Sequence, residues 1–365
     1  MLDIASGSVR AYYLFDVADT IDLTNAGGLA AGSRGPSQLP LGSQTSPAYL
    51  QFPVPPVIEA LPNATIEGLE CSVRLKAYDY GVMSLRLTFD ASGTWEALTI
   101  LADRVRTDER IAAFATATVE RFCDERARAL DKRHPALVED YFIIEIERFA
   151  EKLDATTLLA QHAAVLASLM HGERRPLSPS EAEEALRTRF SYYEDDLTVV
   201  QWDTAFVYDR TESAGAIADI LEFANTQLLE LRTYDALLDR ELDGIYKIGS
   251  EKPARSPLGR RETDQAESVR YLIVDVLELL DRSSNALKVV GDAYYARIYR
   301  AAARRLRLED WQRQVDAKLA SIGDIYRFLN DQARSRRDEF LEIIIIVLIA
   351  LELLVGVATL VHLPR

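Results

Sequence analysis

The chain holds 365 residues, 48% apolar and 27% charged, enough for two domains or one large one with a real core, and this composition excludes an intrinsically disordered protein. A formal net charge of −15 argues against a protein that coats nucleic acid, because phosphate repels an acidic surface at long range, and no DNA partner is expected. Cys71 and Cys123 lie far apart without a CxxC pair, so they read as small buried hydrophobes in a reduced cytosol rather than a disulfide framework.

The first fifteen residues, MLDIASGSVRAYYLF, lack the basic n-region and long apolar run of a secretory signal. Within them residues 9–15 suit a strand. Residues 26–62 are rich in Gly, Ser and Pro without a period, which predicts a loop or linker. Alternating apolar and polar residues over 64–77 and 81–89, with Tyr78, Asp79 and Tyr80 between them, predict a hairpin. Helices are expected over 94–105 and 108–130, a strand over 136–148, and a helix over 155–170. Another helix starts at Pro179 with Ser178 as its N-cap, and a strand over 196–208 closes the region. Strands and helices interleave without a long parallel βα series, so residues 1–209 read as a mixed α/β domain of the α+β class.

Beyond Asp209 the spacing changes to threes and fours. One heptad seam runs Ile217, Leu221, Ala224, Leu228, Leu231, Leu238, Leu242 and Ile245. A second runs Val269, Ile273, Val276, Leu280, Leu287, Val290 and Tyr294, after a break containing Pro253, Pro257 and Gly259. A third runs Trp311, Val315, Leu319, Ile322, Tyr326 and Leu329. Residues 210–342 therefore read as long antiparallel, coiled-coil-like helices forming a hairpin or bundle.

The last of these helices leads into residues 343–363, IIIIVLIALELLVGVATLVHL, of which fifteen are Ile, Leu or Val. At about 1.5 Å per residue the stretch spans about 31 Å, against about 30 Å of bilayer hydrocarbon. This predicts a transmembrane helix and a tail anchor. Arg334, Arg336 and Arg337 precede it and only Arg365 follows, so the positive-inside rule places the N-terminal bulk in the cytoplasm of a single-pass inner-membrane protein. Glu352, Gly356 and Thr359 share one face of the helix, the kind of polar and small surface through which helices associate in lipid, and this predicts a homo-oligomer or, alternatively, an ion path.

Chemistry-bearing motifs are sparse. The four histidines make no HExxH or Cys/His cluster, and the chain has no phosphate loop, GxGxxG or GxSxG, so no catalytic residue, metal or cofactor is assigned and an enzyme is not expected. The acidic residues Glu194, Asp195, Asp196, Asp203 and Asp209 flank a strand, where capping is the ordinary use and a divalent cation the rarer one. Arg297, Arg300, Arg304, Arg305 and Arg307 form a basic run that suits a solvated helix face, or contact with anionic lipid or RNA phosphate.

The segments SYYEDDLTVVQWDTAFVYDR (191–210), DILEFANTQLLELRTYDALLDRELDGIY (219–246) and FLEIIIIVLIALELL (340–354) resemble the required-for-meiotic-nuclear-division family. Its most specific signature is carried here by Leu341, Glu342, residues 343–346, Leu351 and Glu352. The resemblance implies a bacterial member of a family whose eukaryotic proteins are homo-oligomers of the mitochondrial inner membrane and support organellar translation, so a protein partner such as the ribosome is implied, and no catalytic residues. The combined expectation is a membrane-anchored homo-oligomeric scaffold that tethers a cytoplasmic partner. The alternative is an ion-conducting oligomer, since a mixed domain followed by long helices also resembles the plan of CorA-type magnesium channels, although no Gly-Met-Asn loop is present.

Overall fold

A computed structural model describes residues 2–23, 50, 52, 54–175, 177–210, 213–250, 274, 276–277 and 293–361. The chain divides into two compact units, the first made of 1–233 with 281–312 and the second of 234–280 with 313–365. The sequence-predicted boundary at Asp209 thus falls inside the first unit.

The first unit is built on an eight-stranded sheet in the order β3-β4-β5-β1-β7-β10-β9-β8. Its central strand β1 (Asp3–Asp16) pairs antiparallel with β5 (Val82–Thr94) on one side and β7 (Leu137–Phe149) on the other. Gly7 sits at a register shift in β1, where a Cβ would lie 2.6 Å from the Glu145 carbonyl oxygen, so only glycine lets the strands close. β3 (Val57–Ile66) and β4 (Leu69–Ala77) extend the sheet beyond β5. On the opposite side β10 (Thr204–Tyr208) runs parallel to β7, followed by β9 (Leu197–Val200) and the short β8 (Arg189–Phe190). A separate two-stranded ribbon joins β2 (Thr20–Ile21) to β6 (Leu130–Asp131).

Alternation gives the sheet two different faces. Val9, Ala11, Tyr13, Phe15, Leu85, Leu87, Ile144 and Ile146 point to one of them. There they pack with residues of α1 (Trp95–Thr107), α2 (Glu109–Glu125), α3 (Ala155–His171) and α4 (Pro179–Ala185) in one apolar core. Each helix starts where its sequence supplies a cap: the side chains of Thr94, Asp108, Asp154 and Ser178 accept from the backbone N–H of Ala97, Arg110, Thr157 and Glu181. Gly172 ends α3 in the left-handed conformation, satisfying its last carbonyls.

Onto the other face folds α5 (Ser213–Ser250), whose seam residues Ile217, Leu221, Ala224, Leu228 and Leu231 are all buried in the first unit. α6 (Ala293–Arg305) joins it there through the Tyr299 hydroxyl and Gln227. In the second unit, Leu238 of α5 and Val315, Leu319 and Ile322 of α7 (Leu308–Val361) are buried, as the first and third seams require. A turn at Leu306 and Arg307, the latter at φ +56°, separates α6 from α7.

The expected mixed sheet domain followed by helices is therefore present, with four local differences, the first being that the helix expected over 108–130 stops at Glu125 and Leu130 pairs in β6. Residues 64–77 are not one strand, because Glu67 and Gly68 take positive φ (50° and 79°) and make the β3–β4 turn. The predicted loop at 26–62 ends earlier than its composition suggests, since residues 57–62 belong to β3 and Pro62 is accommodated at a register shift between Leu61 and Ala64. The predicted strand 196–208 is a hairpin, with Gln201 N–H returning to the Thr204 carbonyl at 2.8 Å. Among the described residues no helix is long and apolar enough to cross a membrane. The predicted span 343–363 runs past Val361, and residues 362–365 lie outside the described part. Most of the second seam, including Val269, Ile273, Leu280, Leu287 and Val290, also lies outside it.

Candidate functional site

The sheet face beneath α5 is charged where its other face is apolar. β1 contributes Ser8, Arg10 and Tyr12, β4 contributes Ser72, Arg74 and Lys76, β5 contributes Ser84, Arg86 and Thr88, and β7 contributes Tyr141 and Glu145. Register places Arg86 directly opposite both Tyr12 and Arg74, with Arg10 opposite Thr88, so the three arginines lie on three adjacent strands of one face.

Under α5 this layer is closed by ion pairs. Lys76, 9% exposed, donates to Asp219 at 2.9 Å and to Glu222, both one turn apart on α5. Burial opposes its charge, but the two carboxylates outweigh that and hold Lys76 above the ordinary lysine value. Arg10 pairs with the buried Glu145, whose carboxyl burial pushes upward and Arg10 pulls back. Tyr80 and Thr226 share a buried hydrogen bond of 3.0 Å. At the edge of this layer Asp16 lies 3.5 Å from His134, and burial pushes Asp16 up to about 6.

Away from these pairs the cations are less well matched. Arg86 hydrogen-bonds Tyr12, Arg74 is exposed, and neither forms an ion pair among the described residues. The Nε atoms of Arg10 and Arg86 and the Oγ of Ser84 are buried without a hydrogen-bond partner among the described residues. Arg74 is held below the usual arginine range, first by the like charge of Arg86 and then by burial and Arg10. Sequence reading passed over this cluster, although a signal exists. The tripeptides Ser8-Val9-Arg10, Ser72-Val73-Arg74 and Ser84-Leu85-Arg86 repeat one pattern on three strands that the fold makes neighbours.

The residues singled out from sequence are placed differently. Among the acidic group, Asp196 is buried and accepts from the backbone N–H of Tyr192 (2.7 Å) and Tyr193 (2.8 Å) and from the Tyr294 hydroxyl (3.3 Å), so it ties a loop and α6 to the sheet. Asp203 pairs with Arg106 at 2.9 Å, and no group of three or more His, Cys, Asp or Glu able to hold a metal occurs among the described residues. The basic run divides: Arg305 donates to the Thr188 hydroxyl at 3.0 Å and Arg307 to Asp310 at 2.7 Å, whereas Arg297, Arg300 and Arg304 are exposed along α6, Arg297 over the Tyr294 ring. Both cysteines are buried free thiols, and burial pushes Cys123 up to about 11, which leaves it protonated at neutral pH.

On α7, Ile343, Ile345, Ile346, Leu351, Leu353 and Leu354 are 50% or more exposed, and Glu352 is exposed among them. The side chains of Gly356, Thr359, Arg334, Arg336 and Arg337 lie outside the described part.

A family model described as the N-terminal domain of uncharacterized protein MJ0711 matches residues 6–214, more than half of the chain. The chain belongs to this family. The match covers all eight strands of the sheet except the first three residues of β1 and stops at the start of α5, so Arg10, Arg74 and Arg86 fall inside it. Uncharacterized protein MJ0711 of Methanocaldococcus jannaschii is 25% identical over 214 residues, 58% of this chain and 65% of that protein, so the chain spans just under two thirds of that relative's length. UvrABC system protein B of Natronomonas pharaonis is 27% identical over 176 residues, and that of Methanosphaera stadtmanae 28% over 172. Each of these alignments covers 46% of this chain but only 25% and 26% of the relative. No solved structure matches.

Proposed function

We propose that this protein is a membrane-anchored homo-oligomeric scaffold, whose α7 enters the bilayer through residues 343–363 and whose sheet unit holds a protein partner on the cytoplasmic side. The observation that carries this reading is the unbroken exposure of residues 343–355 on α7, thirteen positions with Glu352 as their one charge. An apolar run exposed on every face of a helix is costly in water and favourable in lipid. Helix association through Glu352, Gly356 and Thr359 would shield the carboxyl and bring copies together. The resemblance of the tail to the required-for-meiotic-nuclear-division family supports the same plan and adds the translation machinery as the partner class. Arg334, Arg336 and Arg337 favour a cytoplasmic sheet unit by their position before the span.

The test is co-purification of two differently tagged full-length copies from detergent-extracted membranes, followed by identification of what else remains bound. The scaffold reading expects both tags together and a stable partner. A protein that is monomeric in detergent and carries no stable partner would sink it. Glu352 also favours a second reading, an ion-conducting oligomer, because an acidic side chain exposed in an apolar run is what an ion path would use. If flux through reconstituted protein is absent, or unchanged in Glu352→Gln, that second reading fails.

A further inference from the structure

The arginine cluster on the charged sheet face is not needed by the membrane reading and stands apart from it. Cross-strand neighbours on one face have Cβ atoms about 4.5 to 5.5 Å apart, and like charges set directly opposite destabilise a sheet. Arg74 and Arg86 occupy such a pair, and Arg10 adds a third guanidinium on the next strand. A sheet held together only by its own contacts gains nothing from this arrangement. Glu145 is engaged by Arg10, and Asp219 and Glu222, engaged by Lys76, also favour the charge of Arg86, but none of the three forms an ion pair with Arg74. Tyr12 supplies one hydroxyl to Arg86. Asp90 also lies on this face, opposite Ser8, but neither Arg74 nor Arg86 forms an ion pair among the described residues, so the unmatched charge is confined to these two in a chain whose net charge is −15.

The geometry also indicates the kind of ligand. Exposure rises across the cluster, from Arg10 (16% for its side chain) through the half-buried Arg86 to the exposed Arg74, so the site opens to solvent at the β4 side. Ser72 and Thr88 are paired across β4 and β5 beside the arginines on that open side and offer hydroxyl donors. A carboxylate has two oxygens in one plane and is satisfied by a single guanidinium fork. The forks of Arg74 and Arg86, with Arg10 beside them on Glu145 and hydroxyls next to them, match an anion that carries more charge and presents oxygens in several directions, and arginine rather than lysine is the residue that reads such oxyanions in pairs. We propose that Arg10, Arg74 and Arg86, with Ser72 and Thr88, form a binding site for a terminal phosphate or diphosphate group.

That group could belong to a small solute or to a lipid headgroup, and the chemistry at the arginines is the same. The experiment uses the full chain purified in a zwitterionic detergent. Inorganic pyrophosphate is titrated by calorimetry at fixed ionic strength, and in a second arm the protein is mixed with phosphatidylcholine vesicles with or without phosphatidic acid. Saturable binding of pyrophosphate, weakened about tenfold or more in Arg74→Gln and further in Arg74→Gln/Arg86→Gln, supports a soluble phosphate ligand. Binding seen only with phosphatidic acid and lost in the same variants supports the site with a lipid source. Arg110→Gln, which removes an equal charge from α2 on the opposite face of the sheet, should leave either binding unchanged.

Thermal unfolding separates a binding role from a structural one. Without ligand, Arg74→Gln should unfold at the same temperature as the native protein or higher, because it relieves the repulsion with Arg86. With pyrophosphate or phosphatidic acid present, whichever bound, only the native protein should gain stability. The proposal is overturned if neither probe binds saturably, if binding survives in both arginine variants, or if Arg74→Gln lowers the unfolding temperature without ligand.

Discussion

Ile144 and Ile146 in β7 are completely buried, while Ile343, Ile345 and Ile346 in α7 are 58%, 56% and 58% exposed. The residue type is the same and its fate is opposite. In the sheet unit most of the large apolar side chains of the strands are buried inside the fold, and a buried cation such as Lys76 meets Asp219 and Glu222. Over residues 343–355 of α7 the apolar side chains are exposed. Apolar side chains are thus buried in one region and exposed in the other, and substitutions in the two regions should separate their roles.

The largest effect is expected at Lys76. Lys76→Met leaves two acids facing the sheet without their cation, and breaking a buried pair in this way costs about 3 to 5 kcal/mol, seen as a lower denaturant midpoint. If stability is unchanged, the ion-paired layer is not holding α5 on the sheet. Next is Ile144→Ala, which should cost about 2 to 5 kcal/mol through lost burial and a residual cavity. Ile345→Ala should leave unfolding of the sheet unit within about 0.5 kcal/mol of the native value, as for a surface position. Equal losses from both substitutions would erase the contrast between the regions.

Asp16 gives a pH signature confined to the sheet unit. Its ordinary value of 3.8 is raised to about 6 by burial, so between these values the folded state holds a proton that the unfolded chain has lost. Stability conferred by the protonated form is therefore full below about pH 4, falls by about 2 to 3 kcal/mol as pH rises to about 6, and changes no further from this group above that. Urea unfolding across this range should show that slope, and Asp16→Asn should flatten it. In the apolar run, Glu352→Gln should weaken self-association in detergent by about 1 kcal/mol while leaving unfolding of the sheet unit alone.

Local pattern carried much of the fold. The alternation in 9–15 marks β1, Ser178 marks the start of α4, and the three-and-four spacing from Ile217 to Leu231 marks a buried seam. Turns without strong punctuation were harder to read. The Glu67-Gly68 pair interrupts an otherwise continuous alternation, and the return at residues 201–204 contains no glycine or proline. The arginine face was illegible for a different reason: Arg10, Arg74 and Arg86 become neighbours only through the pairing of β1, β4 and β5 across more than seventy residues of sequence. Each arginine alone resembles a solvated strand residue, and only the register shows that they share one face.

The central claim, that exposure on α7 is meant for lipid, is tested most directly by flotation of membranes from cells making either the full chain or a chain ending at Glu342. After an alkaline carbonate wash the full chain should float with the lipid, and the shortened chain should remain at the bottom with its sheet unit folded. A full chain that is released by carbonate, or a shortened chain that floats as well as the full one, would contradict the account.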